Sequence, residues 1–260
     1  MMQHGGNTTC VEVSCGKEVL IIDAGTGIRK LGEELLRRRV SAINIFITHS
    51  HWDHIQGFPF FLPIYSSKTK INVLGCSNSY KRLKEILSHQ MSQEYFPVSF
   101  ADLKSTIKFY DTCHDSYDFK GFQLEFIETN HPVFTRGLKL ISGNSSFVFI
   151  TDNELHQENP KIPFSRFVEF CRGATCLVHD AQFSEREYKE RRGWGHSTYE
   201  QVITLAKEAG VRNLGFTHHD PNRKDTDLRA LERKYKDSCK NKGCTFRLFA
   251  VREMDEFVLP

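Results

Sequence analysis

The chain has 260 residues, of which 39% are hydrophobic and 12% aromatic, enough to build a substantial buried core. Its 35 basic and 32 acidic side chains leave a net charge of +3 in segments of mixed sign, without the basic stripe that stable nucleic-acid binding requires. A transmembrane stretch and a signal-peptide profile are both missing, so we expect a cytoplasmic protein with no membrane partner. No linker or repeat divides the sequence, and we predict a single domain over residues 1–260.

The first predicted elements are two strands, residues 10–15 and 18–23, which form a hairpin around the Gly16-Lys17 turn. A glycine-containing segment, residues 23–27, comes next and lacks the P-loop pattern, so it predicts a structural turn. Apolar residues at helical spacing from Ile28 onward then predict an amphipathic helix.

The segment that carries most chemistry follows residues 43–48, a predicted buried strand. His49 and His51 alternate at the end of this strand and should face one point. Asp53 and His54 belong to the next turn and should face a second point nearby. Imidazole and carboxylate groups are ligands for zinc and similar cations, so this spacing favours two adjacent metals. The alternative is a polar turn whose histidines bind water.

An apolar segment, residues 56–61, leads away from this motif to a strand at 71–74 and a helix at 79–92. The second half then alternates strands with helices, the clearest of which are residues 199–209 and 227–239. Four predicted strands, at 122–128, 146–150, 176–178 and 213–216, are followed in order by His131, Asp152, Asp180 and His218. Polar residues at successive strand ends predict an active site at one sheet edge.

The order of these motifs resembles the metallo-β-lactamase fold superfamily over nearly the whole chain. The resemblance implies a four-layer αβ/βα sandwich that binds two metals, Zn²⁺ in the first instance, with Mn²⁺ or Fe²⁺ as alternatives. It assigns His49, His51 and His131 to one metal, Asp53, His54 and His218 to the other, and Asp152 to a bridging position.

Two further segments resemble one branch of the superfamily, which contains tRNA 3′-processing nucleases and cyclic-phosphate phosphodiesterases. Residues 193–198 match its His-Ser-Thr motif, and residues 178–183 match an acidic element whose carboxylate pairs with that histidine. By this resemblance His196 and Asp180 form a catalytic pair. Residues 5–10 and 151–154 also resemble a bacterial subgroup of cyclic-nucleotide phosphodiesterases.

The sequence departs from the family pattern at two places. Members usually begin with a further strand and a glycine–serine loop, so we expect the first edge strand to be missing here. Members that process tRNA also carry a long arm, often between the third histidine motif and the bridging aspartate. His131 and Asp152 are only 21 positions apart, and we therefore do not expect tRNA processing.

The predicted reaction is hydrolysis of a small nucleotide-type or cyclic phosphate ester by a metal-bound hydroxide, since metals lower the pKa of bound water to about 7. Asp53 and Asp152 would orient the hydroxide, and His196, held by Asp180, would protonate the leaving oxygen. The alternatives are a thioesterase or lactonase that uses the same metals, and a non-catalytic binding protein. The resemblance also suggests a homodimer.

Several residues have two interpretations. His219 neighbours His218, and the matching motif favours the first of the two as ligand. Surface or core roles are predicted for five other histidines, which are His4, His89, His114, His156 and His179. Four aromatic residues could stack on a base, although packing is the stronger expectation for each: Phe58, Phe60, Tyr95 and Phe96.

Overall fold

The computed structural model describes residues 3–112, 116–119 and 121–260, and side chains throughout these ranges except 77–82 and 111. The chain forms two compact units. The N-terminal unit is Asn7–Gly121, and the C-terminal unit is Phe122–Pro260 together with the start of the chain up to Gly6. The single domain stays a prediction. His114 lies outside the described residues.

The N-terminal unit contains a parallel sheet with one antiparallel edge strand. The five strands of that sheet are β1 (Val11–Cys15), β2 (Glu18–Ile22), β3 (Ala42–Phe46), β4 (Lys70–Gly75) and β5 (Thr106–Asp111). Strand β6 (Ser116–Phe119) belongs to the same unit by its position in the chain and is not part of this sheet. The helices of the unit are α1 (Ile28–Arg37), α2 (Trp52–Ile55) and α3 (Ser77–His89), with 3₁₀ turns at Phe58–Phe60, Leu62–Tyr65 and Phe100–Asp102. Strands β1 to β5 pair in chain order, and only β1 runs antiparallel to its neighbour.

The predicted hairpin is present, since Cys15 pairs with Glu18 across the Gly16-Lys17 turn. Strands β2 and β3 are almost wholly buried, which explains the apolar run at residues 19–22 and the apolar residues on either side of Asn44 in β3. They are parallel, so their carboxyl ends lie at one edge of the sheet. Asp23 follows β2, and Thr48 and His49 follow β3 at that edge.

The C-terminal unit has its own sheet and its own apolar core. Its strands are β7 (Phe122–Glu128), β8 (Arg136–Ser142), β9 (Ser145–Ile150), β10 (Cys176–Asp180), β11 (Asn213–Thr217) and β12 (Arg247–Ala250). Its helices are α4 (Phe164–Cys171), α5 (Glu185–Tyr188), α6 (Tyr199–Ala209) and α7 (Asp225–Asn241). The spatial order of the strands is β12-β11-β10-β9-β8-β7.

Strand directions collect the polar residues of this unit at one edge. Strands β9 to β12 are mutually parallel, and β8 is antiparallel to both of its neighbours, so β7 and β9 run the same way. The carboxyl ends of β7, β9, β10 and β11 therefore share an edge, as the sequence predicted. His131, Asp152, Asp180 and His218 lie at or just beyond these ends.

The bounds of α6 match the prediction because both of its ends carry strong local signals. Thr198 forms a capping box with Gln201, and Gly210 ends the helix in a left-handed conformation. Strand β8 and helix α4 were not predicted, since β8 carries Gly137 and Lys139 within its apolar run and α4 has only eight residues. No helix among residues 3–112, 116–119 and 121–260 has the length and apolar character needed to cross a bilayer.

Candidate functional site

The N-terminal unit gathers His49, His51, Asp53 and His54, here called the histidine cluster. The ring of His49 lies 4.6 Å from that of His51 and 4.2 Å from that of His54, between centroids. A carboxylate oxygen of Asp53 is 3.2 Å from Nε2 of His54. His51 occupies the N-cap of α2, so the short helix places Asp53 and His54 in its first turn. Four side chains of the types that bind zinc therefore lie close together after β3.

Asp23 and Thr48 hold two of these imidazoles. The Asp23 carboxylate, fully buried, accepts from Nδ1 of His54 at 2.7 Å and from the Thr48 amide and hydroxyl at 2.8 and 2.9 Å. The Thr48 hydroxyl also lies 3.1 Å from Nδ1 of His49. Burial raises the pKa of Asp23, and the His54 and Thr48 contacts oppose that effect. Because Nδ1 of His54 faces Asp23, Nε2 is the ring nitrogen on the Asp53 side, and an Nδ1 contact of this kind is usual for metal-binding histidines.

The sequence predicts only a turn at Asp23, and the structure gives its side chain a role. Asp23 adopts a left-handed φ of 63°, which places its carboxylate beside β3 immediately after β2 ends. The available sequence signal was an acidic residue at a strand end, which does not reveal its partner.

The C-terminal unit gathers Asp152, His131, His196 and His218, here called the aspartate cluster. Ligand-type atoms of Asp152, His196 and His218 all lie within 4.8 Å of one another. One carboxylate oxygen of Asp152 is 3.6 Å from Nε2 of His218 and 3.8 Å from Nε2 of His131. Nδ1 of His131 donates to the Gly195 carbonyl at 3.2 Å, so Nε2 is the ring nitrogen on the Asp152 side.

The neighbouring histidines 218 and 219 point to different partners. His218 faces Asp152, whereas Nε2 of His219 donates to the Val251 carbonyl at 3.2 Å. Burial lowers the pKa of His219 to about 4, so its imidazole is neutral near pH 7. The geometry agrees with the choice of His218 as the metal ligand, an assignment that stays a prediction.

His196 and Asp180 form the pair that the resemblance implied. Nδ1 of His196 lies 2.7 Å from a carboxylate oxygen of the fully buried Asp180. Asp180 also accepts from the amides of Asn153 and Gln182, at 3.3 and 3.1 Å. The ring of His196 stacks on that of His218 with centroids 5.0 Å apart. His196 thus has a fixed orientation beside a candidate ligand.

Among the remaining histidines, His179 lies in the core and belongs to a hydrogen-bond network. Its Nδ1 donates to the Asp180 backbone carbonyl at 2.7 Å, so Nε2 accepts from the side-chain amide of Asn153 at 3.1 Å. Burial lowers the pKa of His179. His4 is also buried and contacts Asp225 at 3.1 Å, whereas His156 is exposed.

We expect the free energy of unfolding of the metal-free protein to fall as pH drops below about 6.5, the ordinary pKa of histidine. The lowered pKa of His179 in the folded state means that the unfolded chain takes up its proton first. His179→Phe should lose roughly 1–3 kcal/mol at pH 7, because it leaves buried polar partners unsatisfied. Its pH slope in urea unfolding should nevertheless become shallower. The exposed control His156→Phe should keep the wild-type slope, and equal slopes in all three proteins would contradict the expectation.

The aromatic candidates divide by exposure. Phe58 is fully buried and stacks on Phe100 with centroids 6.2 Å apart, which leaves no face for a base. Phe60 is 52% exposed and Tyr95 is 66% exposed, while Phe96 packs edge-on against Phe60. Phe60 and Tyr95 are therefore the candidates that offer surface.

The donor chemistry of both clusters fits divalent metal ions. His49, His54 and His131 each engage Nδ1 with a hydroxyl, carboxylate or carbonyl oxygen, the outer contact that orients metal-ligating histidines. The carboxylates and imidazoles suit zinc, iron or manganese. Two candidate ligands also have an unusual backbone conformation, since Asp152 and His218 adopt left-handed φ values of 52° and 55°.

Comparison with known proteins connects this geometry to a family. The family described as "Anti-Pycsar protein Apyc1" matches residues 6–236. Among curated proteins, Ribonuclease Z of Thermoplasma acidophilum is 25% identical over 255 residues, which cover 80% of this chain and 79% of that protein.

Solved structures give the fold. The metallo-beta-lactamase fold protein YhfI from Bacillus subtilis has 17% identity and a TM-score of 0.65, covering 95% of this chain and 89% of its own. A diphosphatase from the PhnP family has 18% identity and a TM-score of 0.68, covering 97% of this chain and 85% of its own. The predicted fold class, the α/β metallo-β-lactamase fold, is confirmed.

Proposed function

The chain belongs to the family described as Anti-Pycsar protein Apyc1, and from that premise we propose that it is a dinuclear metal-dependent phosphodiesterase acting on a small cyclic nucleotide. The observation that carries the proposal is the His196–Asp180 pair beside the candidate ligands Asp152 and His218. A phosphodiester needs both charge neutralisation and a proton donor for its leaving oxygen.

His196 can donate that proton from a defined atom. Nδ1 of His196 donates its proton to the Asp180 carboxylate across 2.7 Å, so the proton that the imidazolium can transfer is the one on Nε2. After transfer to the leaving oxygen, the neutral ring still donates from Nδ1 to Asp180, and its orientation is kept. The buried carboxylate is itself held by two backbone amides, which makes the pair rigid.

The metal assignment rests on the resemblance. We assign one metal to His49, His51 and His131, the other to Asp53, His54 and His218, and the bridging position to Asp152. When bound, two divalent ions would neutralise charge on the phosphate and acidify the attacking water. Asp53, whose side chain is 40% exposed, would accept a hydrogen bond from that water and orient it. Zinc is our first choice, and a homodimer remains a prediction.

A small substrate is favoured over RNA by the segment between His131 and Asp152. This segment is a plain hairpin, in which β8 and β9 are joined by the two residues Gly143 and Asn144. It offers no arm to grip a folded RNA. The exposed faces of Phe60 and Tyr95 are available to stack on a single base.

The competing function is a carbonyl hydrolase, such as a thioesterase or lactonase. The thiolate that leaves a thioester makes less demand on a positioned acid than the ribose oxygen of a cyclic nucleotide does. Turnover of S-lactoylglutathione exceeding that of bis-p-nitrophenyl phosphate would favour this alternative. A non-catalytic binding protein would turn over neither compound.

We expect metal-loaded protein to hydrolyse 3′,5′-cyclic nucleotides, with kcat/KM falling only modestly between low and physiological salt. Phosphate contacts each contribute a slope of roughly −0.9 in log affinity against log salt, and a small ligand makes about one or two of them. Chromatography of a panel of cyclic and linear nucleotides measures this, with chelator-treated protein as the control. Efficient cleavage of a tRNA precursor with a steep salt dependence would contradict the proposal.

A further inference from the structure

Glu154 lies two residues beyond Asp152 and is 1% exposed, yet the reaction described above does not use it. Its carboxylate accepts three hydrogen bonds. One oxygen accepts from the Gly193 amide at 2.9 Å and from the Tyr188 hydroxyl at 2.7 Å, and the other accepts from the Gly195 amide at 3.0 Å. We propose that Glu154 is a positioning residue that fixes the glycine turn 193–195, and through it the imidazoles of His131 and His196.

The contact between the turn and His131 is direct. The Gly195 carbonyl lies 3.2 Å from Nδ1 of His131, and a Cβ built on Gly195 would lie 2.2 Å from that same atom. Gly195 also has a φ of 84°, which side chains rarely adopt. The backbone of Gly195 therefore packs directly against the imidazole ring of His131, and its position sets the tautomer and orientation of that ring.

The same turn leads into His196. Residues 153–155 form hydrogen bonds with Gly195 on one side of His196 and with Ser197 on the other. The Ser197 hydroxyl donates to the Asn153 carbonyl at 2.6 Å and accepts from the Leu155 amide at 3.1 Å. The Glu154 amide donates to the Asn130 carbonyl at 3.0 Å, one residue before His131. Residues 153–155 thus tie together the backbone around two members of the aspartate cluster, and Glu154 supplies the charged contact.

The hydrogen-bond pattern requires an acceptor at both oxygens. In Glu154→Gln the amide oxygen would take the place that faces Gly193 and Tyr188, since that place has two donors. The amide nitrogen would then face the Gly195 N–H, donor against donor. The substitution keeps the shape of the side chain and removes the bond nearest His131, so it is a sharper test than truncation.

The inference rests on the proposed function for its kinetic readout only. We expect Glu154→Gln to lower kcat by about 10–100-fold, the usual effect of removing an outer contact, with little change in KM. Tyr188→Phe removes the third donor and keeps both glycine bonds, so its kcat should stay close to that of the wild type. Glu158→Gln is the second control, because it removes the same negative charge at an exposed position.

Nuclear magnetic resonance of the metal-free protein gives a readout independent of turnover. The Gly193 and Gly195 amide protons should resonate downfield in the wild type, as donors to a carboxylate do. Glu154→Gln should move the Gly195 signal upfield and shift the ¹⁵N signals of the His131 ring away from a single tautomer. Should that variant not fold, slow amide exchange at both glycines of the wild type remains the test.

The outcomes separate the two claims. An inactive wild type with the expected spectral changes would refute the phosphodiesterase and keep the positioning role. An active wild type whose Glu154→Gln variant matches it in kcat and in His131 shifts would overturn the positioning role. Fast exchange at Gly193 and Gly195 in the wild type would overturn it too.

Discussion

Replacing His196 with alanine is expected to lower kcat for a phosphodiester with a poor leaving group by about 10²–10⁴-fold, the usual contribution of a positioned acid. The physical reason is the loss of the Nε2 proton, which Asp180 orients through Nδ1. The effect should shrink for p-nitrophenyl esters, because p-nitrophenolate leaves without protonation. Steady-state kinetics on a cyclic nucleotide and on bis-p-nitrophenyl phosphate, run side by side, measure the difference.

Metal content decides how the result is interpreted. His196 lies within ligand distance of Asp152 and His218, so the geometry alone permits a ligand role. We expect His196→Ala to keep the wild-type metal stoichiometry by plasma emission. Loss of metal would make His196 a ligand, and equal losses of kcat on both esters would make it a phosphate-binding group without proton transfer. His156→Ala, an exposed histidine of the same unit, is the matched control.

Removing one ligand of the histidine cluster is expected to have a comparable effect through a different cause. His51→Ala should lower the metal content from about two ions per chain toward one, since each ligand completes a coordination shell. Turnover should fall by about 100-fold or more, beyond the effect of an outer-contact change. His51 is exposed, so the variant should fold, and circular dichroism checks this.

The adjacent Trp52 provides the control for that variant. It is 79% exposed and offers no metal donor, so Trp52→Ala should keep the metal stoichiometry of the wild type. Unchanged stoichiometry in His51→Ala would remove His51 from the ligand set. Metal loss in both variants would instead point to a general disturbance of α2.

Much of the fold was predictable because its signals are local. The buried runs of β2 and β3, the capping residues of α6 and the ligand-type residues after β7, β9, β10 and β11 are all visible in the sequence. The metallo-β-lactamase fold and the class of metal-dependent hydrolase, both predicted from motif order, are confirmed at that level. The substrate remains a proposal.

What could not be predicted depends on contacts between distant segments. Glu154 lies at the end of the segment 151–154, but its three hydrogen-bond donors come from Tyr188, Gly193 and Gly195, and no spacing rule links them to it. Likewise, Phe58 and Phe60 differ by two positions, and only the packing of their 3₁₀ turn buries the first and exposes the second. The choice between His218 and His219 also depends on which ring meets Val251.

The left-handed backbone at Asp23, Asp152 and His218 limits mutational tolerance at these positions. Aspartate, asparagine and histidine are among the few residues other than glycine that enter this region readily. Each position must therefore satisfy a backbone demand and a chemical demand at once. The variant Asp152→Asn distinguishes the two demands, since asparagine adopts the left-handed backbone conformation but lacks the negative charge. In a library of random variants, selection for folding would remove most substitutions at these three positions, and selection for activity would remove most of those that remain.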